Sequence, residues 1–251
     1  MLPAATLYQL GLKSVIIYNQ SVIETSLIIL TRNEISGLKS LSKKIPLKAV
    51  DEYFAVDYKS TDGTVEYFKK HKIPVVKQEK PGRGEAFRIA AKHAKGKYLI
   101  FFSPDGNEDP TDISKLVKVI KEGNDLVIAS RFMKLSRNEE DEQFLKFRKW
   151  ANQAFTLAVR LVWGGRVTDS INGYRAIKKD LFNKLSLDAS GFAIEFQMTI
   201  RALKLKAKIA EIPTIEGNRI GGQSTAIAIP TGLKVLKLFF REISIGTNFK
   251  K

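Results

Sequence analysis

After an opening segment of low charge, residues 1–22, short apolar runs alternate along the chain with stretches of helical periodicity, a pattern that reads as βαβ units around a mainly parallel sheet. The apolar runs predict strands over residues 26–30, 52–56, 75–77, 98–102 and 126–129. The periodic stretches predict helices over 35–44, 64–71, 84–94 and 111–121, the last with Asp109 as N-cap and Pro110 as its first residue. Every polar motif follows a strand, and in open α/β sheets that edge is where ligands bind.

Past residue 129 the pattern changes. A loop of mixed charge (136–142) leads into a long helix whose apolar residues Phe147, Trp150, Ala151, Phe155, Ala158, Leu161 and Val162 keep helical spacing. Its approach, RNEEDEQF, places carboxylates where a helix N-terminus favours them, which reads as capping rather than metal binding. A second such stretch, 232–243, sets Leu233, Leu236, Phe239, Phe240 and Ile243 on one face, with Lys234, Lys237 and Arg241 on the other flank. That composition suits a helix lying in a bilayer surface, and equally one packed on the domain or on a second copy in a homo-oligomer. The expected organisation is an unassigned extension (1–22), one α/β domain (23–230) and a C-terminal amphipathic helix with its tail (231–251).

With 251 residues, 44% hydrophobic and 27% charged, the chain has an ordinary globular composition and can bury a large core. The absence of cysteine excludes disulfides, thiolate metal sites and a Cys nucleophile. Its two histidines, His71 and His93, lie in Lys-rich helical stretches and read as surface residues. A net charge of +16 attracts phosphate-rich partners, whether nucleotide, anionic bilayer or nucleic acid. No apolar run approaches the roughly 20 residues that span a bilayer, and no basic start or cleavage site marks a signal peptide. The expectation is a cytoplasmic chain, peripherally associated with the membrane.

The chemistry concentrates at strand ends. In YLIFFSPDGNEDP an apolar strand runs into a turn carrying Asp105, Asn107, Glu108 and Asp109, a set of oxygens suited to holding a hard divalent cation against a diphosphate. LIILTRNE ends in Thr31, Asn33 and Glu34, which suit ribose hydroxyls or a base edge and equally suit capping of the next helix. In VDYKSTDGT, Asp57 follows the strand, while Asp62 and Gly63 read as turn chemistry. KPGRGE places Arg83 at a helix N-terminus between two glycines, a setting for a phosphate or ribose edge. Downstream stand VIASRF with Arg131, TDSINGYRAI with Asp169, Asn172, Gly173 and Arg175, GFAIEFQ with Glu195, and NRIGGQST with Arg219, Gly221, Gly222, Gln223 and Ser224.

The order and spacing of these segments, over about residues 24–225, resemble a family 2 glycosyltransferase of the GT-A fold, close to the polyprenyl-phosphate (dolichol-phosphate) mannose and glucose synthases. The departures are Leu30 and Arg32 in the first motif, Tyr58 and Lys59 in the second, Ser103 for the first Asp of a "D-x-D" at 103–105, and Asn107 for a Gln. The resemblance implies an α/β, GT-A (Rossmann-like), mainly parallel sheet with helices on both faces. It implies nucleotide binding by Thr31, Asn33, Glu34, Asp57, Arg83, Ser103, Pro104 and Asp105, and Mg²⁺ or Mn²⁺ on Asp105 and Asn107. It further implies catalytic roles for Asp105, Arg131, Asp169 and Arg219, and an acceptor phosphate held by Arg131, Arg175, Arg219, Gln223 and Ser224. Arg175 and Glu195 read as a buried ion pair or as catalytic groups.

The implied reaction is inverting transfer of a hexose or N-acetylhexosamine from a UDP- or GDP-linked donor to polyprenyl or dolichyl phosphate. Such an acceptor is already anionic and needs no strong general base, which suits a chain without an evident catalytic His. An alternative acceptor is a glycan hydroxyl, with Asp169 or Glu195 as base. A basic nucleic-acid-binding protein with an inactive site is the third reading. Against it, Asp57, Asp105, Glu108 and Asp109 crowd the strand ends with charges that repel phosphates, so nucleic acid is not the expected partner.

Overall fold

A computed structural model describes residues 22–141, 146–221 and 228–249. The expected strands form as β1 (Thr25–Thr31), β2 (Glu52–Asp57), β3 (Val75–Lys77), β4 (Tyr98–Phe102) and β5 (Leu126–Ser130). Between them lie α1 (Ile35–Leu41), α2 (Thr64–Lys70), α3 (Arg83–His93) and α4 (Asp112–Lys121). The second half supplies α5 (Phe147–Trp163), β6 (Arg175–Lys178), α6 (Lys179–Lys184), α7 (Ala193–Lys204), β7 (Ile209–Pro213) and α8 (Ala228–Ser244).

The seven strands make one sheet in the order β3-β2-β1-β4-β6-β5-β7. β3, β2, β1 and β4 run parallel, as do β5 and β7, while β6 is wedged antiparallel between β4 and β5. Alternate residues of each strand feed opposite faces. Ile28, Phe54, Phe101 and Ile128 join the core that α3, α5, α6, α7 and α8 cover. Leu27, Ala55, Ile100 and Val127 join the core under α1, α2 and α4. The chain leaves β1 for β2 on one side and reaches β4 on the other, so the crevice of an open α/β sheet falls at the carboxyl ends of β1 and β4.

In the first half, two helix boundaries differ from the pattern by more than one residue. α1 stops at Leu41 and tightens into a 3₁₀ turn, Ser42–Lys44. α4 begins at Asp112 rather than Pro110, because Asp109 Oδ1 accepts the Thr111 amide (2.9 Å) and the next amides bond back three residues, closing a tight turn before the regular helix. α1 lies against the β4 loop so closely that a Cβ on Gly37 would stand 1.7 Å from the Pro104 carbonyl oxygen.

α8 does not present the single apolar face its spacing suggests. Val235, Leu238 and Phe239 are buried in the core, whereas Leu233, Leu236, Phe240 and Ile243 are exposed. A fully enclosed Glu242 fastens the inner side, accepting from Gln197 Nε2, Arg201 Nε and Lys204 Nζ, each at 2.9 Å. On α5 only Thr156 and Val159 are buried, and Phe147, Trp150, Leu157, Leu161 and Val162 face outward. Both histidines are on the surface. Among the described residues no helix is long and apolar enough to cross a membrane.

Candidate functional site

The carboxyl ends of β1, β4 and β5, the first turns of α3 and α7, and the near ends of α5 and α8 surround a cavity of about 1080 Å³. Its β1 end is formed by Thr31, Arg32, Asn33 and Tyr58. Asn33 takes a left-handed backbone (φ 57°) that turns it toward the β2 loop, where it accepts the Thr61 amide (2.9 Å) and donates its own amide to Ser60 Oγ (2.8 Å). Asn33 therefore joins two loops instead of capping α1, and Glu34 makes no side-chain cap bond either. Asp57 is buried and does not line the cavity: it accepts from Thr31 Oγ1 (3.0 Å), Ser60 Oγ (2.6 Å) and Ser60 N (3.0 Å) and so orders this end from beneath. The aromatic at the surface is Tyr58, with the Arg32 guanidinium 5.3 Å from its ring centre. Asp62 accepts from Thr64 N (3.0 Å), Thr64 Oγ1 (2.6 Å) and Ile35 N (3.0 Å), which is turn chemistry.

At the β4 end, Ser103 and Asp105 face the cavity, while Pro104 packs on Gly37. Asp105 Oδ2 pairs with Arg219 Nη1 (2.8 Å), and Arg219 Nη2 reaches Glu34 Oε1 (2.7 Å). Burial, with Asp105 nearby, pushes Glu34 up to about 7 in spite of Arg219. Asn107 spends its amide hydrogens on Glu139 Oε2 (2.9 Å) and the Gly217 carbonyl (2.8 Å), which leaves Oδ1 as the acceptor atom of that amide. Arg83 is built into the floor. It donates to Glu195 Oε1 and to Ser103 Oγ (3.0 Å) and lies 3.8 Å from Glu108. Burial raises Glu108 to about 8 against the pull of Arg83, and the surrounding carboxylates keep Arg83 charged despite its own burial.

The β5 end carries Arg131, gripped by both oxygens of Asp169 (2.7 and 3.0 Å) and approached by Glu216 at 3.5 Å. Asp169 is fully enclosed and does not reach the cavity. Although burial works the other way, Arg131 holds its carboxyl below the usual range, so its geometry is that of a positioning residue for Arg131. Arg175 is likewise absent from the lining. It is completely buried and donates to the carbonyls of Asn172 and Glu195 (3.0 Å for the latter) and to Thr199 Oγ1 (3.3 Å). Burial lowers it to about 10. The expected Arg175–Glu195 ion pair is therefore replaced by Arg83–Glu195, because Glu195 turns its carboxylate to α3 and only its carbonyl to Arg175. Gln223 and Ser224 lie outside the described residues.

The acidic run divides its work. Glu140 Oε2 accepts the Lys149 amide (2.8 Å) in the first turn of α5, as capping requires, while Glu139 turns to Asn107, and Glu216 takes Asn138 Nδ2 (2.7 Å) and Glu139 N (3.0 Å). Glu139, Glu216 and Tyr58 are cavity residues that the motifs did not single out. Their pattern signal was a charge run, an isolated Glu and a motif departure. Among the described residues, the buried side-chain polar atoms without a partner are Glu195 Oε2, an acceptor, and Arg219 Nε, a donor, and both residues line this cavity.

The sequence profile of glycosyl transferase family 2 matches residues 26–186. Glycosyltransferase AglJ of Haloferax volcanii is 31% identical over 180 residues, which cover 70% of this chain and 58% of the relative. The dolichol-phosphate mannosyltransferase of Pyrococcus furiosus is 28% identical over 211 residues, covering 80% and 58%. The chain thus spans less than two thirds of either relative's length. Glucosyl-3-phosphoglycerate synthase from Mycobacterium tuberculosis, in complex with Mn²⁺, uridine diphosphate and phosphoglyceric acid, superimposes with a TM-score of 0.70 at 22% identity, covering 89% of this chain and 79% of that one. The mostly parallel seven-stranded sheet with helices on both faces is the GT-A, Rossmann-like fold.

Proposed function

The chain belongs to glycosyl transferase family 2, and from that premise we propose that it transfers a hexose or N-acetylhexosamine from a UDP- or GDP-linked donor to polyprenyl or dolichyl phosphate at a cytoplasmic membrane face, with inversion at the anomeric carbon. The observation that carries the reading is the pair of unpartnered buried atoms. A nucleotide sugar brings what each lacks, an anionic oxygen for Arg219 Nε and a hydroxyl donor for Glu195 Oε2. Tyr58 and Arg32 form a flat cationic platform for the base, and Asn33 with Thr31 stands where ribose hydroxyls would lie.

The oxygens of Asp105 and Asn107 fit a divalent cation, because a guanidinium already stands against Asp105 as a stand-in positive charge and the Asn107 amide hydrogens point elsewhere. Among the described residues no three His, Cys, Asp or Glu side chains converge as ligands, so Mg²⁺ or Mn²⁺ would share those two with the donor's diphosphate. When bound, it supplies Lewis-acid neutralisation of the departing nucleoside diphosphate. The chain's own residues do the rest. Asp169 fixes the fork of Arg131 toward the cavity, where it meets the acceptor phosphate, and Arg219 screens the donor side, so that two anions are brought together in register. A phosphate monoester needs no deprotonation to attack, so the enclosed Asp169 is not asked to act as base.

α5 and α8, which carry the exposed apolar residues, reach the cavity through Phe147 and Val235, and Arg148, Lys149 and Lys234 line it as well. That arrangement suits a prenyl chain and an anionic bilayer surface. The test is transfer of radiolabelled sugar from a panel of UDP- and GDP-sugars, with Mn²⁺ and short polyprenyl phosphates. Label in a butanol-extractable, mild-acid-labile lipid is expected, and label confined to water-soluble product would overturn the lipid acceptor.

A further inference from the structure

Arg219 spans two carboxylates of the site, one of them Asp105, the expected cation ligand, with Nη1 on Asp105 Oδ2 (2.8 Å) and Nη2 on Glu34 Oε1 (2.7 Å). Its backbone is fastened to the turn that carries Asp105. Ile220 N donates to Asp105 O (2.7 Å), Gly217 N to Asn107 O (3.0 Å) and Asn107 Nδ2 to Gly217 O (2.8 Å). The two segments lie so close that a Cβ on Gly106 would stand 2.6 Å from the Asn218 oxygen, and one on Gly217 2.4 Å from the Gly106 oxygen. Backbone geometry therefore delivers the guanidinium to Asp105. Nε, enclosed and without an acceptor, leaves one donor of that guanidinium unspent.

We propose that Arg219 is the resident counter-ion of this site. In the donor-free protein its guanidinium holds the place of a divalent cation against Asp105, anchored by Glu34 as its second partner, and it gives up those carboxylates only when a diphosphate offers oxygens in exchange. A pyrophosphate supplies the anionic acceptor that Nε lacks and draws the other two nitrogens with it. Asp105 is then released to a cation arriving on the same diphosphate, so cation and donor enter together and the carboxylate pair is not left uncompensated. Ser103 sharpens the exchange, because a site with one carboxylate fewer competes poorly with a guanidinium already seated. The diphosphate half of the proposal rests on the nucleotide-sugar reading. The competition between Arg219 and a cation for Asp105 does not.

Mn²⁺ alone is the probe, followed by the loss of its free-ion EPR signal on titration with the full chain and with R219Q. Without nucleotide, R219Q is expected to bind Mn²⁺ about tenfold more tightly than wild type, since one positive charge beside Asp105 is gone. UDP or GDP should raise wild-type affinity for Mn²⁺ by a similar factor and that of R219Q much less. Should R219Q melt early, G217A makes the same test, because its Cβ prises the segment off Gly106. Wild type binding Mn²⁺ alone as tightly as either variant would overturn the inference, even in a chain that transfers sugar normally. A gain in the variants with no response to any UDP- or GDP-sugar would instead overturn the donor reading and leave the competition standing.

Discussion

Replacing Glu242 with alanine strips the shared acceptor from Gln197 Nε2, Arg201 Nε and Lys204 Nζ, each 2.9 Å away. The Arg201 and Lys204 side chains are 2% and 4% exposed, so water cannot take the place of the carboxylate. Removing one partner of a buried ion pair costs about 3–5 kcal/mol, because the other charge stays enclosed. Arg201 keeps the Leu185 and Ser186 carbonyls (2.9 and 2.6 Å), which sets the expected loss at the lower end, about 3 kcal/mol. For a chain of this size each kcal/mol moves Tm by about 2–4 °C, so E242A should melt roughly 6–12 °C below wild type at pH 7 by scanning calorimetry. E242Q keeps the shape and one acceptor oxygen and should lose less. Although burial opposes it, the hydrogen bonds from Arg201, Gln197 and Lys204 hold the Glu242 carboxyl below its usual range. Its contribution is therefore complete above the unfolded carboxylate range and fades as pH falls through the lower folded value, and the gap between wild type and E242Q should close in acid. A drop for E242A under about 2 °C would refute the reasoning and leave the burial of Val235, Leu238 and Phe239 as what holds α8.

D105A should abolish cation-dependent transfer while shifting Tm by no more than a degree or two, because a strand-end loop carboxylate contributes little to the core; full activity with metal present would refute the placement of the cation. Glu34 and Glu108 are raised to about 7 and about 8, mainly by burial, so they stabilise the fold best while protonated and that contribution is lost as pH climbs through those values. Tm should therefore decline between about pH 5 and pH 8 and level off above, and E108Q should flatten the upper part of that decline. The double change W150S/F240S removes two exposed aromatics and should weaken sedimentation with anionic vesicles several-fold without lowering Tm, and unchanged vesicle binding would argue against α5 and α8 as the membrane face.

The first half of the fold was legible because its signals are local. β1, β2, β4 and β5 are continuous apolar runs, and α1 to α4 carry turn residues at their starts. The second half was less so. α7 is buried at every position from Ala193 to Ala202 and has no polar stripe to betray a helix, β6 is four residues beginning and ending in a basic side chain, and β7 ends in a proline at the sheet edge. At the site, motif spacing located the strand-end residues but not where their side chains point. Asp57 closes β2, Arg175 opens β6 and Asp169 stands in a loop, and all three are turned inward, because each satisfies backbone or hydroxyl groups that folding buries. Tyr58, Glu139 and Glu216 reach the cavity through contacts between segments far apart in sequence, which no local pattern records.

The antiparallel wedge has a consequence for the chemistry. Phe101 of β4 and Ile128 of β5 flank the same residue of β6, so the two banks of the cavity, at the ends of β4 and β5, are two interstrand spacings apart, roughly 10 Å. That gap is set by hydrogen-bonded ladders rather than by loops. In the proposed transfer, the arginines are the parts free to rearrange, while the distance between the banks is held by the sheet, so the repulsion between donor and acceptor phosphates is met by side chains rather than by movement of the frame.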